Sequence, residues 1–449
     1  MNSNRLLQVF LTFLGLIVLQ SASATINLEL TQGVGRAIPI AIVPFHGDSL
    51  GISKVLRQDL LSSGMFSITA VDKLPNKPGT IADVQFGDWR AIPVNDLIIG
   101  TITPEGNNYH VSFTLLDTFK SQQFLHFSSL SQATVNANLN PVLAHQVYTI
   151  PKSSVRFLAH HIADIIYKQL TGVPGVFSTR IAYVAVKRFP DRPTKYALDI
   201  ANADGEDPQP LLQSNSPLMS PAWSPDGKSL AYVSFENRRS AIYISDLSTG
   251  KRRLVAQFSG INSAPAWSPD GKELALALSK GKVNTNIYIL NLVNNKLEQL
   301  TTGSFINTSP AWSPDGKSII FTSNREKDQP QIYKIDLATN AIKRITFNGN
   351  YNAHASFTPD GNNIVILHRD GGKFEIAIQN LATGNLKVLT DSGLNDSPSI
   401  SPNGQMIIYA TYYQGKETLA KISMNGLAKT HLISNDSFIQ SPAWGPLAS

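Results

Sequence analysis

A short phrase recurs at a near-constant interval from residue 223 to the C-terminus. Its copies are Trp223-Ser-Pro-Asp-Gly-Lys228, Trp267-Ser-Pro-Asp-Gly-Lys272, Trp312-Ser-Pro-Asp-Gly-Lys317, Phe357-Thr-Pro-Asp-Gly-Asn362, Ile400-Ser-Pro-Asn-Gly-Gln405 and a clipped Trp444-Gly-Pro446. The spacing is 43 to 45 residues. A period of about 40–45 residues is the length of one propeller blade. Six copies predict six blades, and a propeller is a rigid disc with a loop-lined mouth, a shape that favours binding over chemistry.

Each repeat reads as a small sheet. Ser-Pro-Asp-Gly places the preferred residues of a type I turn in order. An alternating strand follows, such as Leu230-Ala-Tyr-Val-Ser234 or Ile319-Ile-Phe-Thr-Ser323. A second strand (Ile242-Tyr-Ile-Ser-Asp-Leu247), a Thr-Gly or Thr-Asn turn and a third strand (Arg253-Leu-Val-Ala256) complete the run. With the strand that ends at the aromatic anchor, each unit holds four. Arg180-Ile-Ala-Tyr-Val184 reads as a second strand lacking its first, and Ser441-Pro-Ala-Trp444 as a first strand with no blade behind it. One blade is therefore expected to be built from both ends of the propeller, which hides its sheet edges. The Trp anchors read as blade-to-blade packing residues. Asp226, Asp270, Asp315 and Asp360 read as turn residues, since no calcium-loop pattern accompanies them.

The bulk properties narrow the class. The chain has 449 residues, too many for one compact domain, and its 42% hydrophobic content is ordinary for a globular protein. Residues 1–24 read as a secretory signal peptide: Arg5, an apolar run over residues 6–19, and the small-residue exit Ala22-Ser-Ala24. The run is short for a membrane span. Cleavage after Ala24 is expected to leave a soluble, monomeric chain beginning at Thr25. The absence of cysteine leaves no thiol for a lipid anchor or a disulfide. The net charge of +6 falls by one with the leader, and the basic residues are scattered, which gives no nucleic-acid stripe.

Residues 25–172 carry no repeat and read as an α/β domain, with residues 173–449 as the propeller. Residues 38–43 form a short apolar run, read as a buried strand. Residues 49–62 give a helical face through Leu50, Val55, Leu56, Leu60 and Leu61, with Ser49 as its N-cap. Residues 96–103, 109–116 and 122–130 read as strands, and residues 153–170 as a helix ended by Gly172. Thr171-Gly-Val-Pro-Gly175 reads as the hinge to the propeller. Gly47-Asp-Ser-Leu-Gly51 matches the G-x-S-x-G pattern of serine hydrolases. No Asp in the chain is followed three residues later by His, and the domain is small for a hydrolase, so the cap reading of Ser49 is preferred. His160 and His161 are adjacent, unlike a helical metal pair, and His160 is placed to bond Asp164 on the helix surface. No metal, cofactor or catalytic residue is assigned.

The signal peptide, the small α/β domain and the Trp-Ser-Pro-Asp-Gly propeller together resemble the TolB family of the Tol–Pal system. The telling pieces are Ile42-Val-Pro-Phe45, Leu170-Thr-Gly172, Thr179-Arg-Ile-Ala-Tyr-Val184, residues 217–227, Ala275-Leu-Ala-Leu-Ser279 and the terminal Ser441-Pro-Ala-Trp444. The resemblance implies a non-enzymatic periplasmic connector that docks the lipoprotein Pal at the propeller mouth and engages TolA with its extreme N-terminus, in support of outer-membrane integrity and cell division. It leaves room for other outer-membrane proteins as partners. The alternatives are a secreted serine hydrolase or peptidase whose propeller filters substrate, and a propeller lectin.

Mapped on this chain, the Pal-binding residues are Pro217, Leu218, Met219, Ile261, Asn262, Ser263, Ala264, Asn307, Thr308 and His354. Ala264 and Thr308 fall at positions that match the family's contact loops and are expected in turns. At Ile261 the family often carries a polar residue such as His. The TolA-binding strand is Thr25, Ile26, Asn27, Leu28, Glu29, Leu30 and Thr31. Its alternation suits addition to a partner's sheet, and residues 32–35, with two glycines, are expected to let it leave home and act as a switch between the partners.

Overall fold

The computed structural model describes residues 25–30, 37–120, 140–326, 329–391, 393–434 and 437–447. The leader (1–24), Thr31, the hinge at 32–35 and the strand expected at 122–130 lie outside the described residues.

The N-terminal domain is one sheet with helices on it. The strand Ile38–Ile42 is followed by helix α1 (Ile52–Ser62) and the strand Phe66–Ile68, which pairs parallel to the first. Strands Asp96–Glu105, Asn108–Asp117 and Val142–Pro151 extend the sheet as an antiparallel meander. A short helix, α2 (Phe86–Arg90), buries Trp89 against Ala41, Leu97 and Ile99 on one face. Helix α3 (Val155–Thr171) packs with α1 on the other, joining Leu56, Leu60, Ile162 and Ile166 to Ile40, Ile98 and Phe113. Gly172, at φ +75°, closes α3 with its N–H on the Lys168 carbonyl. The strand at 142–151 was not legible: it lies at the sheet edge with several residues exposed, so its alternation is blurred.

The start of α1 differs from expectation. The helix begins at Ile52, and the cap is Asp48 rather than Ser49. One Asp48 oxygen accepts the N–H groups of Gly51 and Ile52 (2.7 and 3.0 Å), and the other accepts that of Ser53 (2.8 Å). Two carboxylate oxygens satisfy three orphan amides, which one hydroxyl cannot do. Gly51 sits at φ +82°, which stops the helix from reaching back to Ser49.

The second domain is a six-bladed propeller, as the repeats predict. Five blades are built in sequence, each from four antiparallel strands. The remaining blade takes its innermost strand, Phe438–Trp444, from the C-terminus and pairs it with Arg180–Lys187. Gln440 faces Val184 and Trp444 faces Ile181 across that pair. Closure by the two chain ends is therefore as expected.

The repeated phrase works twice. In the turn, Gly227 N–H bonds the Ser224 carbonyl, while Asp226 accepts from the Ser224 hydroxyl and the Lys228 N–H. These bonds hold the Asp226 carboxyl below its ordinary pKa. At the anchor, three of the indoles reach one blade back. Trp267 Nε1 donates to the Ala222 carbonyl (3.0 Å), Trp312 Nε1 to that of Ala266 (3.1 Å), and Trp223 Nε1 to that of Ala443 (3.1 Å). Trp444 is buried and donates to Thr179 Oγ1 (2.9 Å).

Every innermost strand also breaks register at one point, between Met219 and Ala222, Ser263 and Ala266, Thr308 and Ala311, Ala353 and Ser356, Asp396 and Ser399, and Gln440 and Ala443. Each break holds one non-glycine residue in the left-handed region: Ser220, Ala264, Ser309, His354, Ser397 and Ser441, all at φ +49 to +50°. Proline follows in five of the six; it has no N–H for the ladder. Ala264 and Thr308 thus lie in strands, not in turns as expected. A bulky side chain at Ala264 meets a backbone that L-residues adopt only at a cost.

Two expectations test this fold by urea unfolding. Trp444→Ala should cost about 3–5 kcal/mol, because it empties a buried site and removes a bond between chain ends. Val293→Ala, at a surface site 79% exposed, should stay within about 0.5 kcal/mol. Ala264→Val should be less stable than Ala264→Gly by about 1–3 kcal/mol, since a β-branched residue is the worst fit at positive φ. Equal stability of the two would remove the strain argument.

Candidate functional site

The six strained residues converge on the disc axis. Together with their following prolines, or Ala355 in the fourth case, they line a cavity of about 180 Å³. The lining is hydroxyls, methyls and proline rings, with one departure. His354 stands where the other strands carry Ser or Ala, and its Nδ1 lies 3.1 Å from Asp396 Oδ1 on the next blade. Burial works against the Asp396 charge, but His354 and the Ser397 N–H outweigh it and hold the carboxyl below its ordinary pKa.

The loops entering the innermost strands surround one end of this cavity, and the sequence-predicted residues divide into two groups there. Pro217, Met219 (43% exposed) and Ile261 (49%) present themselves to solvent. Ser263, Ala264, Thr308 and His354 are half-buried at the throat. Leu218, Asn262 and Asn307 are buried and cannot touch a partner in this conformation. The two asparagines are staples. Asn262 Nδ2 donates to the Phe258 and Ser240 carbonyls (2.8 and 3.0 Å). Asn307 Nδ2 donates to Asn286 Oδ1 and its own Oδ1 accepts from Arg325. Asn352 repeats the device on Asn348 and Gln331, and Asn395 on Phe374 and Thr390. A buried amide satisfied in this way fixes the loop that carries it.

Sequence reasoning missed part of the mouth. Phe305, Ile306, Phe347 and Leu394 are exposed on the same set of loops, Phe347 by 71%. Cations from neighbouring loops lie over aromatic rings beside them: Arg325 over Phe305, Phe321 and Tyr333, Lys280 over Phe258 and Tyr288, and Arg369 over Tyr351 and Phe374. The signal was available: a bulky apolar residue sits shortly before the inner strand in repeat after repeat, in a loop that cannot bury it. Such a cluster marks an interaction surface.

The N-terminal strand is placed elsewhere on the disc. Thr25–Leu30 pairs antiparallel with the outermost strand of the last blade, Ala428–Ile433, from Thr25 opposite Ile433 to Leu30 opposite Ala428. It is the fifth strand of that sheet. Home for this segment is therefore the propeller edge and not its own domain's sheet.

A third feature lies between the domains. His160 is buried, and it bonds not Asp164 but Asp59 of α1, with Nδ1 2.7 Å from Oδ2. Its Nε2 lies 3.4 Å from Asp204 Oδ2, on the propeller turn after Lys195–Asn202. Asp164 instead accepts from the Phe177 and Ser178 N–H groups and the Ser178 hydroxyl. The α3 helix turns His160 inward, so its partners come from 101 and 44 residues away rather than from the next turn. Donor atoms of Asp59, His160 and Asp204 fall within 4.8 Å of one another. Arg156, which pairs with Asp204, and Lys421, held on the Ala203 carbonyl at 3.0 Å, already supply the countercharge. The group is an ion-paired cluster.

Comparison with known proteins agrees with this architecture. A family model described as the TolB amino-terminal domain matches residues 26–124, and one described as the TolB beta propeller domain matches residues 167–448. The chain is 52% identical over 446 residues to the Tol-Pal system protein TolB of Coxiella burnetii, covering 98% of each chain. It is 49% identical over 449 residues to the Legionella pneumophila protein of that name, covering 99% of this chain and 100% of the other. The crystal structure of TolB from Acinetobacter baumannii superposes with a TM-score of 0.83 at 38% identity, over 94% of this chain and 100% of that one. The chain belongs to the TolB family of the Tol–Pal system.

Proposed function

We propose that this chain is a non-enzymatic periplasmic scaffold that joins TolA to the peptidoglycan-associated lipoprotein Pal, in support of outer-membrane integrity and constriction at division. In this reading the leader is cleaved after Ala24 and the domains divide at Gly172. The observation that carries it is the mouth: exposed apolar residues ring a small axial cavity on a rigid disc. Met219, Ile261, Phe305, Ile306, Phe347 and Leu394 leave much of their apolar surface in solvent, although Arg325 lies over Phe305 and Arg344 over Phe347. A compact partner that seats on this ring and sends a loop into the throat would bury them. Buried anchors of that kind carry most of an interface's energy.

The N-terminal strand serves the second partner. A strand held by main-chain bonds on one edge can exchange that edge for another, since the ladder itself carries no side-chain code. Its edge position means that its removal breaks pairing with one strand only.

Ala264 is a poor probe of the mouth, because substitution there perturbs the backbone. Met219→Glu combined with Ile261→Glu probes it without strain. Calorimetry with purified Pal should show binding weakened at least about thirtyfold, as loss of about 2 kcal/mol at an anchor implies. Unchanged affinity in a variant of unchanged thermal stability refutes this face. Removing residues 25–31 should abolish TolA binding and leave Pal binding within about threefold. Undiminished TolA capture by the truncated chain refutes the strand assignment.

A further inference from the structure

We propose that His160, as an imidazolium, locks the two domains together, and that loss of its proton releases them. The argument starts from the ring nitrogens. Nδ1 faces Asp59 on α1 and Nε2 faces Asp204 on the propeller, at 2.7 and 3.4 Å. A neutral imidazole has one N–H, which the Asp59 hydrogen bond takes, and turns a bare lone pair toward Asp204; the imidazolium presents an N–H to each, as a hydrogen bond to Asp59 and a charge contact, without a hydrogen bond, to Asp204. His160 thus answers one carboxylate from each domain, beside Arg156 on Asp204 and Lys421, whose charge acts on both.

The surrounding charges come from four elements. Asp59 and Lys54 lie on α1, and Arg156 and Asp164 lie on α3 with His160. Asp204 and Glu206 stand on the propeller turn, and Lys421 on the last blade's strand Lys416–Ser423. Asp59, His160, Asp204 and Lys421 are each at most 5% exposed. Drawing the domains apart would separate Asp204 from Arg156 and His160, and Asp59 from Lys421. A buried network of this kind adds little when complete, but removing one member is costly, because it strands the others. Deprotonation of His160 removes one charge and one N–H donor without removing any heavy atom.

The direction with pH follows from the same contacts. Burial opposes the charge on His160, but the charge of Asp59, its hydrogen bond and the charge of Asp204 outweigh both burial and Arg156, so its pKa lies above the ordinary histidine value. A group raised on folding gives stability that is full below the unfolded pKa of about 6.5 and is lost as pH rises through the folded value. The lock is therefore closed in mild acid and opens on the alkaline side.

The test uses the whole mature protein. Imidazole NMR from pH 5.5 to 9.5, with His160→Gln to assign the signal, should show His160 doubly protonated at pH 6.5 with a midpoint above that. The chain has no cysteine, so spin labels at Asp72→Cys and Thr249→Cys, both exposed, read the interdomain distance directly. On the acid side of the midpoint the wild-type distribution should be narrow; on the alkaline side it should broaden. His160→Gln should be broad at both and lack the pH dependence. Lys421→Met, made from the propeller side, should broaden the distribution as well if His160→Gln does not fold. A neutral His160 at pH 6.5, the absence of a midpoint, or a wild-type distance distribution that ignores pH would each overturn the proposal.

Discussion

The structure depends on a ring that must close on itself, and the closing contact is made between the two ends of the propeller. Trp223, Trp267 and Trp312 each donate to the carbonyl just before the anchor position of the preceding blade, so these blades are joined by a chain of equivalent bonds. The chain passes through the closing blade because Trp223 reaches Ala443 and Trp444 reaches Thr179. Two later copies of the phrase carry Phe357 and Ile400, which have no side-chain N–H to give; there His354 N–H on Thr322 Oγ1 and Asn395 Nδ2 on the Phe374 carbonyl join the blades beside the packing. A disc held in this way is stiff as a whole, since no blade can tilt without breaking a bond to its neighbour. That stiffness is what lets six loops hold a fixed mouth.

The same closure explains why strain collects on the axis. Six innermost strands meet around the axial cavity. Each answers with one register break and one residue at positive φ. The break turns short side chains and proline rings toward the cavity instead of a ladder amide. Strain of this sort costs energy that the rest of the ring supplies, and it pre-shapes the throat before any partner arrives. The buried asparagines act on the adjoining loops in the same sense. They hold exposed apolar residues such as Ile261 and Ile306 in place from beneath.

Much of this was legible in the sequence because the repeat states it six times. The Trp-Ser-Pro-Asp-Gly phrase gave the blade count, and the unmatched strands at Arg180 and Ser441 gave the closure. What stayed hidden is what does not repeat. The alternation over residues 25–30 announces a strand but does not name its partner, since any open edge offers the same main-chain groups. It lies on Ala428–Ile433, four hundred residues along the chain. Ala264 reads as a turn residue because it falls in a loop running into the inner strand, yet the strand itself begins at Asn262 and breaks register across Ala264. Asp48 and Ser49 are both cap residues by type, and only the position of Gly51 decides between them. His160 sits beside Asp164 at helical spacing, but a neighbour on the surface face tells nothing about one that points inward to another domain.

The interdomain cluster and the N-terminal strand are less separate than their places in the sequence suggest. In the last blade, Lys421 pairs with Thr430, and Thr430 pairs with Leu28. One line across the sheet therefore runs from a charged member of the cluster to the centre of the docked strand. Gly205 of the neighbouring turn packs toward Leu432, and Gly64 after α1 packs toward Ala428 and Ser423. The outermost strand of the blade is thus held from one side by the N-terminal domain while it holds residues 25–30 on the other. An edge strand is the least constrained part of any sheet, and what packs against it sets how flat and how available it is. The seam between the domains and the dock for the N-terminus are two sides of one strand, so a change in the charge buried at the seam bears on the edge that keeps the chain's own terminus at home.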